Sequence, residues 1–575
     1  MKKLLKYLKY YKKESILGPL FKLLEASFEL FVPLVVANII DKGISAGDKK
    51  YIFTNCGMLI LLGAVGLVSS LTAQYFSAKA SVGFTTRIRS DLFTHIGKLS
   101  YSQLDDIGTS TLITRLTGDM NQVQSGLNLT LRLVLRSPFV VFGAMIMAFT
   151  VDVKSALIFA VVIPLLFAVV FAIMLVTIPM YTNIQKGLDG VLAKTRENLT
   201  GTRVIRAFCK EDDEIKEFND KNDALNILQI AVSKISVLLN PATFFIINAA
   251  VIALIYTGAV RVDSGSLSQG SVVALYNYMA QILVELIKLA SLIISVTKSI
   301  ACADRIQSVL DIELCMASGS SKGSKNSDYA VEFKNVALKY SSAADEAVSN
   351  ISFKVKRSST VGIIGSTGSG KTTLMNMIPR FYDATSGSVE VFGTDVRDYV
   401  IDKLRAKIAV VPQKAALFKG TVRDNILMGN GNADDGEIYE ALERAQAREI
   451  VNSKPGGLDF VIEQDSKNLS GGQRQRLTIA RALVKKPEIL ILDDSASALD
   501  YATEANLRKA LRGLEFNPTV FIVSQRAGSV MHADMIIVMD DGRIVGIGTS
   551  DELLKNCEVY REIYNTQFSE TEAEQ

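Results

Sequence analysis

Six apolar segments within the first three hundred residues constrain this chain more than any other feature: 15–40, 55–78, 133–150, 156–180, 236–260 and 271–296. Crossing the hydrocarbon core of a bilayer takes about 20 apolar residues of helix, and these segments meet or approach that length. A lipid core offers backbone groups no water to bond, so each segment is expected as a helix that satisfies its own N–H and C=O groups. Short connections follow the first, third and fifth segments, whereas stretches of roughly fifty residues follow the second and fourth. Lysine and arginine crowd both long connections and the N-terminal tail (Lys2, Lys3, Lys6, Lys9, Lys12 and Lys13). The positive-inside rule therefore puts the N-terminus, both long connections and the C-terminal half on the cytoplasmic side of a multi-pass protein of the cell (cytoplasmic) membrane. The long connections are rich in helix formers and are expected as helical extensions, each broken by a turn, one within Ser100–Thr109 and one within Thr200–Lys210. No small-residue cleavage site follows the first apolar run, which reads as a retained span and not as a removed leader.

The second half is of another kind. The spans end a membrane domain expected over 1–315, a glycine- and serine-rich stretch over 316–328 reads as a linker, and a soluble α/β domain is expected over 329–575. It opens on an alternating strand, Ala330–Lys339, and the acidic tail Ser569–Gln575 is expected to be disordered. A net charge of +4 gives no footprint for a nucleic-acid partner, and five scattered cysteines support neither a disulfide framework nor a zinc site.

Within that domain, Val361–Ile364 reads as a short β-branched strand running into Gly365, Ser366, Thr367, Gly368, Ser369, Gly370, Lys371, Thr372 and Thr373. A glycine, four residues, then Gly-Lys-Thr is the phosphate-loop pattern. Glycines permit a tight turn whose N–H groups converge on phosphate oxygens, and the helix that follows adds the positive end of its dipole. Lys371 would reach the β- and γ-phosphates of ATP, and the Thr372 hydroxyl would ligate Mg²⁺. Downstream, Ile489–Leu492 is a strand buried on both faces that ends in Asp493 and Asp494. Asp493 stands where a phosphate-loop protein holds the metal, and Asp494 where a base or water-orienting group is needed. Leu469, Ser470, Gly471, Gly472 and Gln473 open a helix whose N-terminus is a second anion site, more than one nucleotide on one domain requires. That second site is expected to face a nucleotide held by another subunit. Tyr340, 25 residues before Gly365, offers an aromatic face for an adenine ring.

These motifs, with Gln413 in Val411-Pro412-Gln413 and the run Ser497, Ala498, Leu499, Asp500, resemble the ordered motif set of an ATP-binding cassette (ABC) transporter. The six spans with long cytoplasmic connections are similar to the exporter branch. The resemblance implies a six-helix transmembrane domain followed by an α/β phosphate-loop cassette. It also implies a head-to-tail cassette dimer with each ATP between one subunit's phosphate loop and the other's signature helix. Gln413 would sense the γ-phosphate and Mg²⁺, and the two turns in the long connections would hold coupling helices. The partners implied are a second half-transporter, a small-molecule substrate and the surrounding membrane lipid.

Two positions depart from the family. A glutamate is expected where Asp494 stands, and a histidine where Gln525 follows the strand Val520–Val523; neither His95 nor His532 fits that slot. Asp494 is one methylene short, and Gln525 cannot take or share a proton near neutral pH. ATP is expected to bind here and turn over slowly. Such a chain suits one half of a heterodimer whose partner supplies the glutamate and histidine, in preference to a homodimeric lipid or peptide exporter or an ATP-gated regulatory or channel subunit. In the last span Asn277, Gln281, Glu285 and Lys288 share one helical face and read as part of a substrate pathway; Lys22, Glu25 and Glu29 interrupt the first span similarly.

Overall fold

A computed structural model of the chain describes residues 3–323, 327–340 and 343–573. The chain divides into two compact units, one of residues 1–97 and 110–312, the other of 98–109 and 313–575.

Helices, in chain order, are α1 (Lys12–Asn38), α2 (Lys49–Ile96), α3 (Tyr101–Ile107), α4 (Met120–Leu133), α5 (Arg136–Val151), α6 (Val153–Ala207), α7 (Glu211–Val237), α8 (Leu239–Asp263) and α9 (Gln269–Leu310). All but α3 belong to the first unit. Six helical stretches among the described residues are long and apolar enough to cross a membrane, and each contains one of the expected segments: Leu4–Ile44, Lys49–Ile96, Thr109–Val151, Val153–Ala207, Glu211–Asp263 and Gln269–Leu310. They overrun those segments. The 55 residues of α6 extend about 80 Å, against a hydrocarbon core of about 30 Å. Side chains cap the starts: Asp48 accepts from Lys50 and Tyr51 N–H, Asp152 from Ser155 N–H, and Ser268 from Ser271 N–H. The unit's core gathers Phe159, Leu166, Leu275 and Ile282 around Tyr278, whose buried hydroxyl donates to the Leu30 carbonyl at 2.7 Å.

The two expected turns differ. The first holds α3, capped by Ser100 and boxed by Gln103. The second shrinks to Phe208–Lys210, with Cys209 at φ 51°, and contains no separate short helix. Thr200–Ala207 stays in α6 because a lone helical glycine, Gly201, costs only about 1 kcal/mol and the Thr202 hydroxyl donates back to the Asn198 carbonyl.

The second unit is built on strands β1 (Tyr329–Leu338), β2 (Val348–Lys356), β3 (Thr360–Gly365), β4 (Ser386–Val391), β5 (Ile408–Val411), β6 (Ile489–Asp493), β7 (Thr519–Val523), β8 (Met535–Asp540) and β9 (Arg543–Gly548). Its main sheet has the order β9-β8-β3-β7-β6-β5, parallel except for the β8–β9 pair. Successive residues of β6 feed opposite faces, Ile489 and Ile491 one core, Leu490 and Leu492 the other. That is why the strand is apolar throughout and not alternating. An antiparallel sheet, β2-β1-β4 with Thr394–Asp395, lies beside it in the same unit.

Two expectations are corrected. The stretch read as a linker is pinned to the domain: Gly319 N–H donates to the Tyr399 carbonyl at 2.9 Å and Ser321 N–H to the Asp398 carbonyl at 2.8 Å. Residues 324–326 of that stretch lie outside the described residues. The acidic tail is helical as far as Ala573, in Glu558–Ala573. Tyr560, Tyr564 and Phe568 recur at helical spacing and pack on the core, which carries the helix forward; Glu574 and Gln575 lie outside the described residues.

Candidate nucleotide site

The parallel strands converge at their carboxyl ends on the loop after β3. A Cβ on Gly365 would lie 2.1 Å from the Met539 carbonyl oxygen, so only glycine lets the loop leave β3 against β8. Gly370 sits at φ +90°, where an added Cβ would also meet Val348 at 2.6 Å. Helix α10 (Lys371–Met377) begins directly after it. The loop wraps its own lysine: Lys371 Nζ donates to the carbonyls of Gly365 at 2.9 Å and Ser366 at 2.6 Å, and to Ser369 Oγ at 3.3 Å. Burial lowers the Lys371 pKa, opposed by the charges of Asp494 and Asp493.

Beside it, Thr372 Oγ1 donates to Asp493 Oδ1 at 3.0 Å. Burial pushes the Asp493 carboxyl up from the usual aspartate range, and the Thr372 hydrogen bond pulls the other way. Asp494 takes φ +46°, a left-handed conformation that aspartate tolerates better than most residues. Its Oδ2 accepts from Gln413 Nε2 at 3.2 Å. Across the loop, Thr367 Oγ1 donates to Gln525 Oε1 at 3.4 Å. The hydroxyls of Tyr340 and Thr373 are 3.0 Å apart. Between these groups opens a cleft of about 340 Å³, lined by Tyr340, Thr367, Gly368, Gly370, Lys371, Thr372, Thr373, Gln413, Asp493, Asp494 and Gln525.

The fold thus gathers motifs spread over almost two hundred residues. It does not bring Leu469–Gln473 or Ser497–Asp500 to that cleft. They form a second, exposed feature. Ser470 caps α11 (Gly471–Leu483), accepting from Gln473 N–H at 3.3 Å while Gln473 Oε1 accepts from Ser470 N–H at 3.1 Å. A Cβ on Gly472 would come within 3.1 Å of the Ala498 carbonyl, so the signature helix and the Ser497–Asp500 loop are packed together. Asp500 caps the next helix by accepting from Thr503 N–H at 2.8 Å.

Sequence reasoning missed two supports of the site. Gln567 Nε2 donates to the Gln525 carbonyl at 2.8 Å, and its Oε1 accepts from Ala527 N–H at 2.7 Å, clasping the loop after β7. Tyr382 stands edge-on to Tyr340 at 5.2 Å and donates its hydroxyl to Asp105 of α3 at 2.6 Å, while Tyr101 of α3 packs on Phe381 at 4.6 Å. Neither carries a local motif, so no signal in the sequence could have found them.

Two family models match the chain, the ABC transporter transmembrane region over residues 15–286 and the ABC transporter over 348–497. An uncharacterized ABC transporter ATP-binding protein of Bacillus subtilis, YfiB, is 34% identical over 568 residues, 99% of each chain. This chain belongs to the ABC transporters. It is an exporter half-transporter. An ATP-dependent lipid A-core flippase of Desulfotalea psychrophila is 32% identical over 480 residues, 83% of this transporter and 84% of the flippase. The solved structure of a bacterial Atm1-family ABC exporter with ATP bound shares the fold at a TM-score of 0.82 and 22% identity, covering 97% of this chain and 99% of that one. The transporter is a multi-pass membrane protein with a cytoplasmic ATP-binding domain that hydrolyses ATP to drive export, and exporters of this kind act as dimers.

The ABC transporter domain implies ATP binding, and the cleft gathers that domain's phosphate-loop residues. Thr372 and Asp493 set two hard oxygen donors side by side, a donor set that suits Mg²⁺.

Proposed function

We propose that this chain is one half of a heterodimeric exporter that moves a small amphipathic or hydrophobic substrate across the cytoplasmic membrane. Its own cleft clamps ATP and turns it over slowly, while Ser470–Gln473 completes the working site of the partner. Lys371 and the loop amides hold the phosphates, Tyr340 stacks the base, and Thr372, Asp493 and Gln413 would hold Mg²⁺. When bound, that ion neutralises charge on the phosphate oxygens.

One observation carries the reading. The two side chains expected to move or orient a proton are a short carboxylate drawn to Gln413 and a non-titrating amide drawn to Thr367. Asp494 stops about one methylene short, and a displacement of about 1 Å can cost on the order of 100-fold in rate. Gln525 can donate and accept hydrogen bonds but cannot relay a proton. The signature helix keeps its Ser470 cap and the glycines Gly471 and Gly472, the groups with which it would serve a neighbour. α3, through Tyr101 and Asp105, is the coupling element on this domain. The test is purification from native membranes followed by mass analysis of the assembly. A second, different half-transporter in equal amount supports the proposal; a pure homodimer contradicts it. The homodimeric alternative, a lipid exporter, draws on the identity to the lipid A-core flippase.

A further inference from the structure

The loop after β7 carries Gln525 to the cleft, and its backbone is held from outside the cleft. Ser524 N–H closes on the Ile363 carbonyl at 3.0 Å, and Arg526 N–H turns back to Ser524 Oγ at 3.0 Å. The groups on either side of Arg526, the Gln525 carbonyl and the Ala527 N–H, are both met by one side chain of the C-terminal helix Glu558–Ala573. Gln567 Nε2 donates to the first at 2.8 Å, and Gln567 Oε1 accepts from the second at 2.7 Å. That task needs a donor and an acceptor on one planar group at the end of a two-carbon stem. Asparagine is one methylene shorter, ionised glutamate has no donor, and lysine has no acceptor.

The helix that carries the clamp is itself anchored. Tyr560 is buried with its hydroxyl 2.9 Å from Ser550 Oγ, and the rings of Tyr560, Tyr564 and Phe568 follow one another at 6.3 and 4.4 Å. Phe568, next to Gln567, reaches to 3.9 Å from where a Cβ on Gly528 would stand, in the short helix Ala527–Val530. Ring and carboxamide thus hold the loop from one turn of helix. At the other end of the chain of contacts, Gln525 lines the cleft and its Oε1 accepts from Thr367 Oγ1 at 3.4 Å. With that oxygen taken, Nε2 is the end of the amide left to donate to a phosphate oxygen.

Resting on the slow, ATP-retaining cleft proposed above, we infer that Gln567 is a positioning residue for the nucleotide: it acts through Gln525 and sets how long ATP stays in the cleft. The lining of the cleft contains Gln525 and not Gln567, so the effect passes through the loop backbone and not through contact with ATP. Losing the clamp frees the Gln525 backbone to move away from Thr367, and the amide's donation to phosphate goes with it. A hydrogen bond to a charged group is worth about tenfold or more in affinity, and the loss is expected in the rate at which ATP leaves.

The experiment loads the assembled full-length transporter in nanodiscs with an azido-ATP analogue labelled on the α-phosphate, chases with unlabelled ATP, and irradiates at intervals to read the label left on this chain. Gln567→Met keeps the length and apolar body of the side chain, removes both hydrogen bonds, and is expected to shed nucleotide about tenfold faster. Gln525→Ala is expected to do the same, and the double variant to be no faster than either single one. A general loosening of the domain would instead multiply the two effects. Gln567→Glu keeps the acceptor for Ala527 but sets an oxygen against the Gln525 carbonyl, and is expected to match Gln567→Met. Thermal unfolding of each variant reports folding. Wild-type release rates in the folded Gln567 variants, or effects that multiply in the double variant, overturn the assignment. The nucleotide held by the wild-type chain is identified on the same sample. Triphosphate there with no change in the variants sinks the clamp alone. Diphosphate there sinks the slow-site reading, and the clamp then stands or falls on the same pair of substitutions.

Discussion

Restoring the two missing groups offers a quantitative test of the slow site. In Asp494→Glu the carboxylate moves outward by about one C–C bond, past the point where Gln413 Nε2 now holds Asp494 Oδ2 at 3.2 Å. If a misplacement of about 1 Å costs on the order of 100-fold, correcting it is expected to return about that factor, or about 2.7 kcal/mol of barrier. The backbone at φ +46° suits glutamate less well than aspartate, a cost of about 1 kcal/mol that falls on stability and not on the chemical step. Gln525→His adds a group able to share a proton, typically worth a further 100-fold or more. The double variant is therefore expected to hydrolyse ATP at this cleft at least about 100-fold faster than the wild type. The assay is single-turnover hydrolysis in the assembled transporter with the partner's own catalytic carboxylate removed, so that only this cleft can react. A rise below about tenfold would refute the positional argument, as would a wild-type cleft already as fast as the partner's.

Other consequences can be measured separately. Tyr382→Phe removes one hydrogen bond to the Asp105 carboxylate, worth about 1.5 kcal/mol at a half-exposed site; hydrogen exchange across α3 is expected to quicken by about tenfold with ATP affinity little changed. Arg136→Met leaves Glu285 buried with only Lys288 and Ser137, and is expected to destabilise the membrane unit by about 3–5 kcal/mol in denaturation in detergent. Because burial raises the Asp493 pKa, Mg²⁺-dependent ATP retention requires deprotonation of a carboxyl that holds its proton above the ordinary range. Retention should therefore begin to fall, as pH is lowered, at a pH above the roughly 3.9 of a free aspartate, and Asp493→Asn should abolish that dependence on pH and metal. Lys371→Ala should remove ATP binding altogether, as read by nucleotide photolabelling.

Features local in the chain were the legible ones. Apolar runs long enough to span a bilayer announce helices, and the phosphate loop, the Asp493 strand and the Ser470 cap are motifs in which neighbouring residues share one task. Side chains that meet across long separations gave no signal. Arg136 finds Glu29 and Glu285 at separations of 107 and 149 residues, and Tyr382 finds Asp105 at 277. Glu285, read with Asn277 and Gln281 as part of a substrate pathway, is buried against Arg136, Ser137 and Lys288. The linker misled for a related reason: glycine and serine suit a free chain, yet Gly319 is required because a Cβ there would lie 2.1 Å from the Asp398 carbonyl oxygen. The tail misled because its own residues are acidic and polar, whereas the three aromatic residues at helical spacing that carry the helix into it, Tyr560, Tyr564 and Phe568, lie just before it.

The central claim is that this cleft retains ATP while its signature helix serves the pocket next door. The most direct measurement photolabels the assembled transporter with an azido-ATP analogue carrying label on the α-phosphate, after minutes of turnover, and identifies the nucleotide on each chain. The account predicts triphosphate on this chain and diphosphate on its partner. Diphosphate in equal share on both chains would contradict it.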